Sequence, residues 1–258
     1  MRLDPTAAAA GARLITHDTL GSTNTEGLAL ARAGERGPLW ITARSQSAGR
    51  GRRGRTWVSE PGNLYASLVL ADPSPPERFP ELSFVAALAL HDALSGRIPG
   101  LARRLALKWP NDLLIDRNKL AGILVEGEGA TVVIGIGINC IHHPAGTEFP
   151  ATDLAAAGVR AKPEGLFTPL SAAMTARLKQ WDRGAGFAAI RADWLARAAS
   201  VGKSIRVARA EGDLAGQFET IDESGRLVLR LPDGTMRTVT AGDIFLGVSS
   251  GASQAGRQ

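Results

Sequence analysis

The chain has 258 residues, of which 44% are hydrophobic and 21% charged, a composition typical of a globular protein that excludes an intrinsically disordered chain. Its formal net charge of +5 permits an acidic partner, and its single cysteine excludes both an intramolecular disulfide and a zinc site built from several thiols. Because the N-terminus lacks a secretion signal and no segment approaches the ~20 apolar residues that cross a bilayer, we expect a cytoplasmic protein without membrane contact.

The first motif in the chain is GSTNTE, residues 21–26. Thr23 and Glu26 have the spacing of a capping box ahead of an alanine- and leucine-rich segment, which predicts a helix with Thr23 as its N-cap. A plain helix cap explains the motif without any ligand. The alternative is that Ser22, Thr23 and Asn24 offer small hydrogen-bonding groups to a polar ligand at the helix N-terminus.

Residues 49–55, GRGRRGR, are all glycine or arginine and connect two predicted strands at 39–44 and 64–70. We call them the Gly/Arg loop. Glycines allow backbone N–H groups to face a ligand, and arginines offer forked donors for carboxylate or phosphate. A solvated loop or an RNA-binding element is the alternative, but such runs usually lie in low-complexity tails rather than between strands. We therefore predict a loop that folds around an anionic ligand.

The middle of the chain predicts a helix at 81–94 and three strands at 105–109, 123–126 and 131–139. The turn-forming sequences PND, DRN and GEG separate these strands. Such short connections predict antiparallel neighbours in one sheet.

The motif KWPND, residues 108–112, ends the first of these strands. Pro110 and Asn111 explain the turn without any function. Strand alternation turns Lys108 away from the residues on either side of it, toward the interior. Because a buried lysine requires an anionic partner, Lys108 is a candidate ligand contact.

Two strand segments contain internal glycines, KLAGILVE at 119–126 and GIGIN at 135–139. Gly122 indicates that a ligand or another backbone passes close by. Lys119 has two interpretations, a surface lysine or a ligand contact. GIGIN lacks the third glycine and the βαβ context of a dinucleotide fingerprint, so we exclude that function, while Asn139 at its end could bind a base or ribose.

The C-terminal third predicts a helix that starts at Thr168–Pro169 and another at 187–198. Short strands separated by turn sequences follow and predict a small β-barrel; they lie at 205–207, 215–221, 227–231 and 237–240. We divide the chain into a ligand-binding domain, a C-terminal barrel and a disordered tail, at 1–200, 201–248 and 249–258.

The ordered set GSTNTE, QSAGRGRRGRTW, KWPNDLLI, NKLAGILVE and VIGIGIN closely resembles the biotin protein ligases, also called biotin–acetyl-CoA-carboxylase ligases, over residues 14–247. The resemblance implies an α+β fold like the class II synthetase catalytic domains: a central mixed, mostly antiparallel sheet with helices, followed by a small C-terminal β-barrel. It also implies a two-step reaction. Biotin and ATP, with Mg²⁺, give biotinyl-5′-AMP, and biotin then passes to a lysine of the biotin carboxyl carrier domain of acetyl-CoA carboxylase or a related carboxylase.

The resemblance assigns the biotin contacts residue by residue. The ureido end of biotin would be bound by Ser22, Thr23, Asn24 and Gln46. Arg50, Gly51 and Arg52 would cover biotin and the phosphate, and Arg52 would retain the intermediate. Lys119 would hold the biotin carboxylate or its acyl-phosphate.

For the nucleotide, the resemblance implies that Lys108 stabilises charge on the α-phosphate as pyrophosphate leaves. Asp112 is the candidate both for holding Mg²⁺ and for acting as base toward the acceptor lysine. The full set of implied nucleotide contacts is Arg52, Arg55, Trp57, Lys108, Gly122, Ile123, Leu124 and Asn139.

The same resemblance bears on DNA binding and on the oligomeric state. Some members carry an N-terminal winged-helix DNA-binding domain, but only about a dozen residues precede the first match here, too few for such a domain. We expect a ligase without DNA binding or repressor function. Family members occur as monomers and dimers, so a homodimer stays open.

Two other functions would use parts of the same pattern. A lipoate or octanoate transferase has related chemistry, but its RRxxGGG and HDxGN elements do not occur in this chain. A non-catalytic nucleic-acid-binding protein could use the Gly/Arg loop, but it leaves Lys108 and Lys119 without a purpose, and few aromatic residues accompany the loop for base stacking.

Overall fold

A seven-stranded sheet organises the larger part of the molecule. The computed structural model describes residues 1–209 and 212–246. The strands of this sheet are β1 (Arg13–Leu20), β2 (Leu39–Gln46), β3 (Leu64–Ala71), β4 (Leu105–Lys108), β5 (Asp112–Ile115), β6 (Asn118–Glu128) and β7 (Thr131–Ile138). Their order is β1-β2-β3-β7-β6-β5-β4, and only the β1–β2 pair is parallel. The predicted mixed, mostly antiparallel sheet is confirmed.

Helices cover both faces of this sheet unequally. They are α1 (Pro5–Ala9), α2 (Thr23–Arg32), α3 (Leu82–Arg97), α4 (Pro163–Trp181) and α5 (Phe187–Leu195). The main core includes side chains of α3, α4 and α5 together with one face of β3, β6 and β7. On the opposite face α2 covers only a small apolar cluster, formed by Leu28, Leu39, Ile41, Val69 and Val133. The rest of that face is left open for the site described below.

Alternation along β6 and β7 decides which residues meet this open face. Successive strand side chains point to opposite sides of a sheet. In β7 the even-numbered residues 132–138 belong to the main core, whereas Val133 packs under α2. Gly135 and Gly137 follow Val133 on the same face. Beyond α2, this face of β7 therefore has almost no side chains.

Two helix starts differ from prediction. The capping box is wrong, because α2 has Ser22 as its N-cap and Thr23 is already helical. The Thr23 hydroxyl contacts Gln46 and Ser67 from neighbouring strands instead of capping its own helix. Tertiary hydrogen bonds have replaced the local one.

The predicted helix start at Thr168–Pro169 is also wrong. The helix α4 begins at Pro163, and Pro169 lies inside it. A proline in the second turn removes one backbone hydrogen bond. Burial of Leu166, Phe167 and Leu170 against the core offsets that loss, since each side chain is at most 2% exposed.

Three strands had no counterpart in the sequence prediction, namely β1, β5 and β12 (Asp243–Leu246). The edge strand β1 is mostly exposed and lacks a regular apolar alternation. The other two have four residues each, too few for a periodic signal. The predicted strand at 123–126 is the middle of the longer β6.

The C-terminal part forms a separate five-stranded antiparallel sheet in the order β11-β10-β9-β8-β12. The remaining strands are β8 (Ser204–Ala208), β9 (Leu214–Ile221), β10 (Leu227–Arg230) and β11 (Met236–Val239). The predicted separate C-terminal β-structure is therefore confirmed, with β11 and β12 as its outer strands. The predicted tail, 249–258, lies outside the described residues.

The two sheets are joined by a defined contact. The Trp109 indole N–H donates to the carbonyl of Gly225 over 3.0 Å, and both ends of this bond are buried. Gly225 has φ of +78° and sits so close to Phe84 that a Cβ there would lie 2.6 Å from the ring. The turn between β9 and β10 is thus packed directly behind the KWPND motif. Within the described residues, none of the helices combines the length and apolarity needed to cross a bilayer.

Candidate active site

A cavity of about 270 Å³ opens on the face of the large sheet that α2 leaves uncovered. Its walls come from the Gly/Arg loop, the start of α2, the strands β5, β6 and β7, the loop after β7, and β12. All the ligand contacts predicted from the sequence line this cavity: Ser22, Thr23, Asn24, Gln46, Arg50, Gly51, Arg52, Arg55, Trp57, Lys108, Asp112, Lys119, Gly122, Ile123, Leu124 and Asn139. The fold therefore brings together residues that are up to 117 positions apart.

One end of the cavity is polar and uncharged. The backbone N–H of Thr23 donates to the Gln46 side-chain oxygen over 2.8 Å, and the Ser67 hydroxyl lies 2.6 Å from Asn24 Oδ1 and 2.7 Å from Thr23 Oγ1. Gln46 donates onward to Ser59 over 2.8 Å. Buried polar groups that satisfy one another form a rigid set of donors and acceptors. Such an end suits a neutral polar ligand group.

Glycines in β6 and β7 make room for the side chains that form the cavity wall. A Cβ on Gly135 would lie 2.2 Å from Asn24 Oδ1, and one on Gly137 would lie 2.7 Å from the Trp57 ring. A Cβ on Gly122 would also meet the Trp57 ring, at 3.0 Å. The close approach predicted at Gly122 is therefore made by a side chain of the same protein.

The other end of the cavity carries a cluster of two lysines and one carboxylate, in which Lys108 and Asp112 are buried and Lys119 is partly exposed. Lys108 Nζ lies 3.1 Å from Asp112 Oδ2, and Lys119 Nζ lies 2.6 Å from Asp112 Oδ1. Burial raises the pKa of Asp112, but the two ammonium groups outweigh this effect and lower that pKa to about 2. With two positive charges and one negative, the cluster keeps a net charge of +1 for an anionic ligand.

The Gly/Arg loop adds further positive charge above this cluster. Arg52 donates to Asn111 of the KWPND motif over 3.1 Å, which ties the loop to the turn after Lys108. Burial lowers the pKa of the Arg52 guanidinium, whereas Asp243 and Asp112 act in the opposite direction. Arg52 of the Gly/Arg loop therefore lies beside the charged end of the cavity, where the loop was expected to bind an anion.

Asn139, by contrast, uses its side chain internally. It is 2% exposed, and its Nδ2 donates to the backbone carbonyl of Thr152 over 3.0 Å. This bond holds the loop between β7 and α4 against the sheet. A contact between Asn139 and a nucleotide stays a prediction.

Sequence reasoning missed two residues of the cavity wall and one residue next to it. Phe149, in the loop after β7, places its ring 4.2 Å from Lys108 Nζ. Asp243, at the start of β12, contacts Arg52, Arg53 and Arg55, with the shortest distance of 2.5 Å to Arg55.

The third missed residue is Glu126 of β6, which pairs with Arg50. No local pattern marks any of the three, because each faces its partners only after distant segments have folded together. The arginines of the Gly/Arg loop are therefore each paired with a carboxylate from outside the loop.

Comparison with known proteins places this fold and site in a class. Residues 20–139 match the Biotin/lipoate A/B protein ligase family, and residues 201–247 match the Biotin protein ligase C terminal domain. The structure resembles biotin protein ligase from Aquifex aeolicus in complex with biotin and ATP, with a TM-score of 0.76 at 25% identity, covering 92% of this chain and 99% of that one. The fold is that of a protein ligase of the biotin/lipoate class.

Relatives with similar sequences distinguish the biotin ligases from the other members of this class. The chain is 43% identical over 237 residues to biotin–[acetyl-CoA-carboxylase] ligase of Paracoccus denitrificans, covering 88% of this chain and 97% of the relative. It is 33% identical over 250 residues to the bifunctional ligase/repressor BirA of Bacillus subtilis (strain 168), covering 92% and 75%. The chain belongs to the biotin protein ligase family, and the enzyme class predicted from its motifs is confirmed.

Proposed function

We propose that this ligase works in two steps, first joining biotin and ATP to give biotinyl-5′-AMP and pyrophosphate. A lysine amine of a carboxylase carrier domain then attacks the acyl carbon, forming an amide and releasing AMP. One observation carries the proposal. A single cavity has a neutral polar end, a net positive Lys108–Asp112–Lys119 end, and the Gly/Arg loop beside both, which fits a ligand that is neutral at one end and anionic at the other.

Biotin has this character, because its ureido group is neutral and its carboxylate is charged. The ureido group binds at Ser22, Thr23, Asn24 and Gln46, and the carboxylate extends toward Lys119. The Trp57 ring lies between these ends, against Gly122 and Gly137. Its indole N–H is buried and has no hydrogen-bond partner among the described residues, so it is available to a ligand atom.

The first step needs no nucleophile from the protein. A biotin carboxylate oxygen attacks the α-phosphorus of ATP, the bond to the bridging oxygen breaks, and pyrophosphate leaves with that electron pair. Lys108 and Arg52 stabilise the charge that develops on the phosphate oxygens, and Lys119 holds the acyl oxygen. Catalysis consists of positioning and electrostatic stabilisation. The Gly/Arg loop and Phe149 exclude water from the mixed anhydride.

Asp112 acts by holding the two lysines. Both of its oxygens contact ammonium groups, and a carboxylate with a pKa of about 2 is a weak base. Neither property suits a base for the acceptor lysine. Sites that bind Mg²⁺ together with substrate phosphates supply only one or two carboxylates to the ion. Asp112 therefore stays the candidate to contact an Mg²⁺ ion that enters with the phosphates of ATP.

Relatives support the choice of substrates and acceptor. The Aquifex aeolicus ligase is described in complex with biotin and ATP, and the name of the Paracoccus denitrificans relative specifies acetyl-CoA carboxylase. We infer biotin, ATP and a biotin carboxyl carrier domain for this protein. A cytoplasmic location and the lack of DNA binding stay predictions, and the choice between monomer and homodimer stays open.

The decisive experiment is isotope exchange between pyrophosphate and ATP, with biotin or lipoate as the acid. Exchange that depends on biotin and not on lipoate is expected, together with transfer of labelled biotin to a purified carrier domain. Exchange driven by lipoate would instead favour a lipoate ligase, which the first of the two matching families also includes. Exchange with neither acid would contradict the proposed first step.

A further inference from the structure

Glu126 lies outside the cavity lining yet contacts two parts of the site at once. One carboxylate oxygen, Oε1, pairs with Arg50 of the Gly/Arg loop. The other, Oε2, accepts a hydrogen bond of 2.9 Å from Asn24 Nδ2 at the neutral end. Glu126 follows Gly122 and Leu124 on the same face of β6, because alternate residues of a strand share a face.

This double contact fixes the orientation of the Asn24 amide. Asn24 Oδ1 accepts from the buried Ser67 hydroxyl over 2.6 Å, while Nδ2 donates to Glu126 and lies 3.3 Å from the Leu124 carbonyl. A flipped amide would place Nδ2 against the hydroxyl and its oxygen against two acceptors. Only one orientation satisfies all these groups.

The same contacts form a chain of hydrogen bonds along the neutral end. From Glu126 the chain runs through Asn24, Ser67, Thr23, Gln46 and Ser59. The Ser59 hydroxyl donates to the backbone carbonyl of Trp57 over 2.8 Å. Arg50 lies near the start of the Gly/Arg loop and Trp57 lies two residues beyond its end, so this chain of hydrogen bonds anchors the loop on both sides.

From this geometry we propose that Glu126 is a positioning residue of the ligase reaction, which couples the closing of the Gly/Arg loop to the neutral end of the cavity. This rests on the proposed function. The carboxylate holds Arg50 beside the cavity and keeps the Asn24 amide in its binding orientation. Glu126 contacts neither substrate, so it acts on ligand affinity and on retention of the acyl-adenylate.

The substitution Glu126→Gln tests the charge while keeping the size of the side chain. An amide offers one oxygen and one NH₂ group, so either Arg50 or Asn24 then faces a donor instead of an acceptor. Glu128→Gln is the matched control. Glu128 lies two residues further along β6 and also pairs with an arginine, Arg32, at an exposed site away from the cavity.

The measurements are the Kd for biotin by calorimetry and the rate at which labelled biotinyl-5′-AMP leaves the enzyme. For Glu126→Gln we expect both to rise about tenfold, the size of a lost charge-assisted hydrogen bond, with the melting temperature near that of wild type. Glu128→Gln should match wild type in all three measurements. A double-mutant cycle with Arg50→Gln should show that the two substitutions are not additive.

Other outcomes overturn the inference. Wild-type affinity and retention in Glu126→Gln would do so, as would additive effects in the cycle. A fall in melting temperature with unchanged biotin affinity of the folded fraction would identify a purely structural residue. Failure of the wild-type enzyme to bind biotin or catalyse biotin-dependent exchange is a separate result, which would reject the proposed function and this inference with it.

Discussion

Lys108 shows how one residue combines a structural cost with a chemical role. Its side chain is 5% exposed and contacts a buried carboxylate and an aromatic ring. A lysine is expensive to bury without a partner, and Asp112 supplies the partner while Lys119 keeps the cluster positive. The arrangement stabilises both lysines near the place where the phosphate charge would develop.

We predict that Lys108→Gln slows biotin-dependent adenylate formation by about 10²-fold, the usual effect of removing one donor to a developing charge. Biotin affinity should change little, because Lys119 still faces the carboxylate. Single-turnover kinetics at saturating biotin and ATP measures the rate. Lys203→Gln, which changes an exposed lysine of the C-terminal part, is the control; an equal rate in both variants would reject the role of Lys108.

The pKa of Asp112 predicts a pH dependence of stability. Its folded-state value of about 2 lies below the unfolded value of about 3.9, so the ionised carboxylate stabilises the fold above pH ~4 and this contribution is lost as the pH falls toward 2. The free energy of unfolding of wild type, relative to Asp112→Asn, should shrink by about 1 kcal/mol between pH 6 and pH 3. Urea unfolding across this range measures it. A difference that stays constant with pH would show that the lysines do not hold the carboxylate ionised.

At the scale of elements, the Gly/Arg loop depends on contacts from two directions. Arg50 is held by β6 of its own sheet, whereas Arg52, Arg53 and Arg55 face Asp243 on β12 of the C-terminal sheet. The Asp243 side chain is only 16% exposed, so the group is partly shielded from solvent. The C-terminal sheet therefore forms part of the wall over the cavity.

We predict that Asp243→Asn loosens this loop, which trypsin can report because it cleaves after arginine. Cleavage at residues 50–55 should become about fivefold faster, the factor that corresponds to about 1 kcal/mol of lost restraint. Timed digestion followed by mass spectrometry measures it. Asp213→Asn removes an exposed ion pair with Arg206 in the same C-terminal sheet and should leave the loop unchanged. Equal digestion of both variants would mean that Asp243 does not restrain the loop.

At the scale of the whole molecule, the two sheets meet behind the KWPND motif. The Trp109–Gly225 hydrogen bond and the packing of Gly225 against Phe84 join the C-terminal sheet to the residues next to Lys108. Both contacts are buried, so separation of the sheets would expose an indole N–H and aromatic surface. The C-terminal sheet thus contacts the site in two places. It packs against the KWPND motif through Gly225, and it contacts the Gly/Arg loop through Asp243.

We predict that Gly225→Ala lowers the free energy of unfolding by about 1–3 kcal/mol more than Gly234→Ala, the range for overpacking a filled site. Both glycines have positive φ, +78° and +84°, in turns of the same sheet, so the backbone strain is matched. Only Gly225 has a close neighbour, whereas a Cβ on Gly234 meets open space. Urea denaturation of the three proteins gives the comparison, and equal losses would mean that the Phe84 contact is not tight.

Much of the large sheet was predictable because its signals are local. The strands β2, β3 and β7 are apolar runs bounded by turns, and the short connection between β6 and β7 permits only antiparallel neighbours. The four residues of β5, by contrast, leave no such signal. The start of α4 was not predictable, since Pro163 and Pro169 are both acceptable first-turn residues and only the packing of Leu166 and Phe167 decides between them.

The sequence by itself determined the motifs that mark the cavity, their order along the chain and the family they indicate, because each motif combines residue types whose chemistry is readable without coordinates. The tertiary structure alone decided that Lys108 and Lys119 share Asp112, that Glu126 joins Arg50 to Asn24, and that Asp243 reaches the Gly/Arg loop. The reason is distance along the chain. Asp243 and Arg55 are 188 residues apart, and their contact depends on strand register and on how the two sheets pack, which no local pattern encodes.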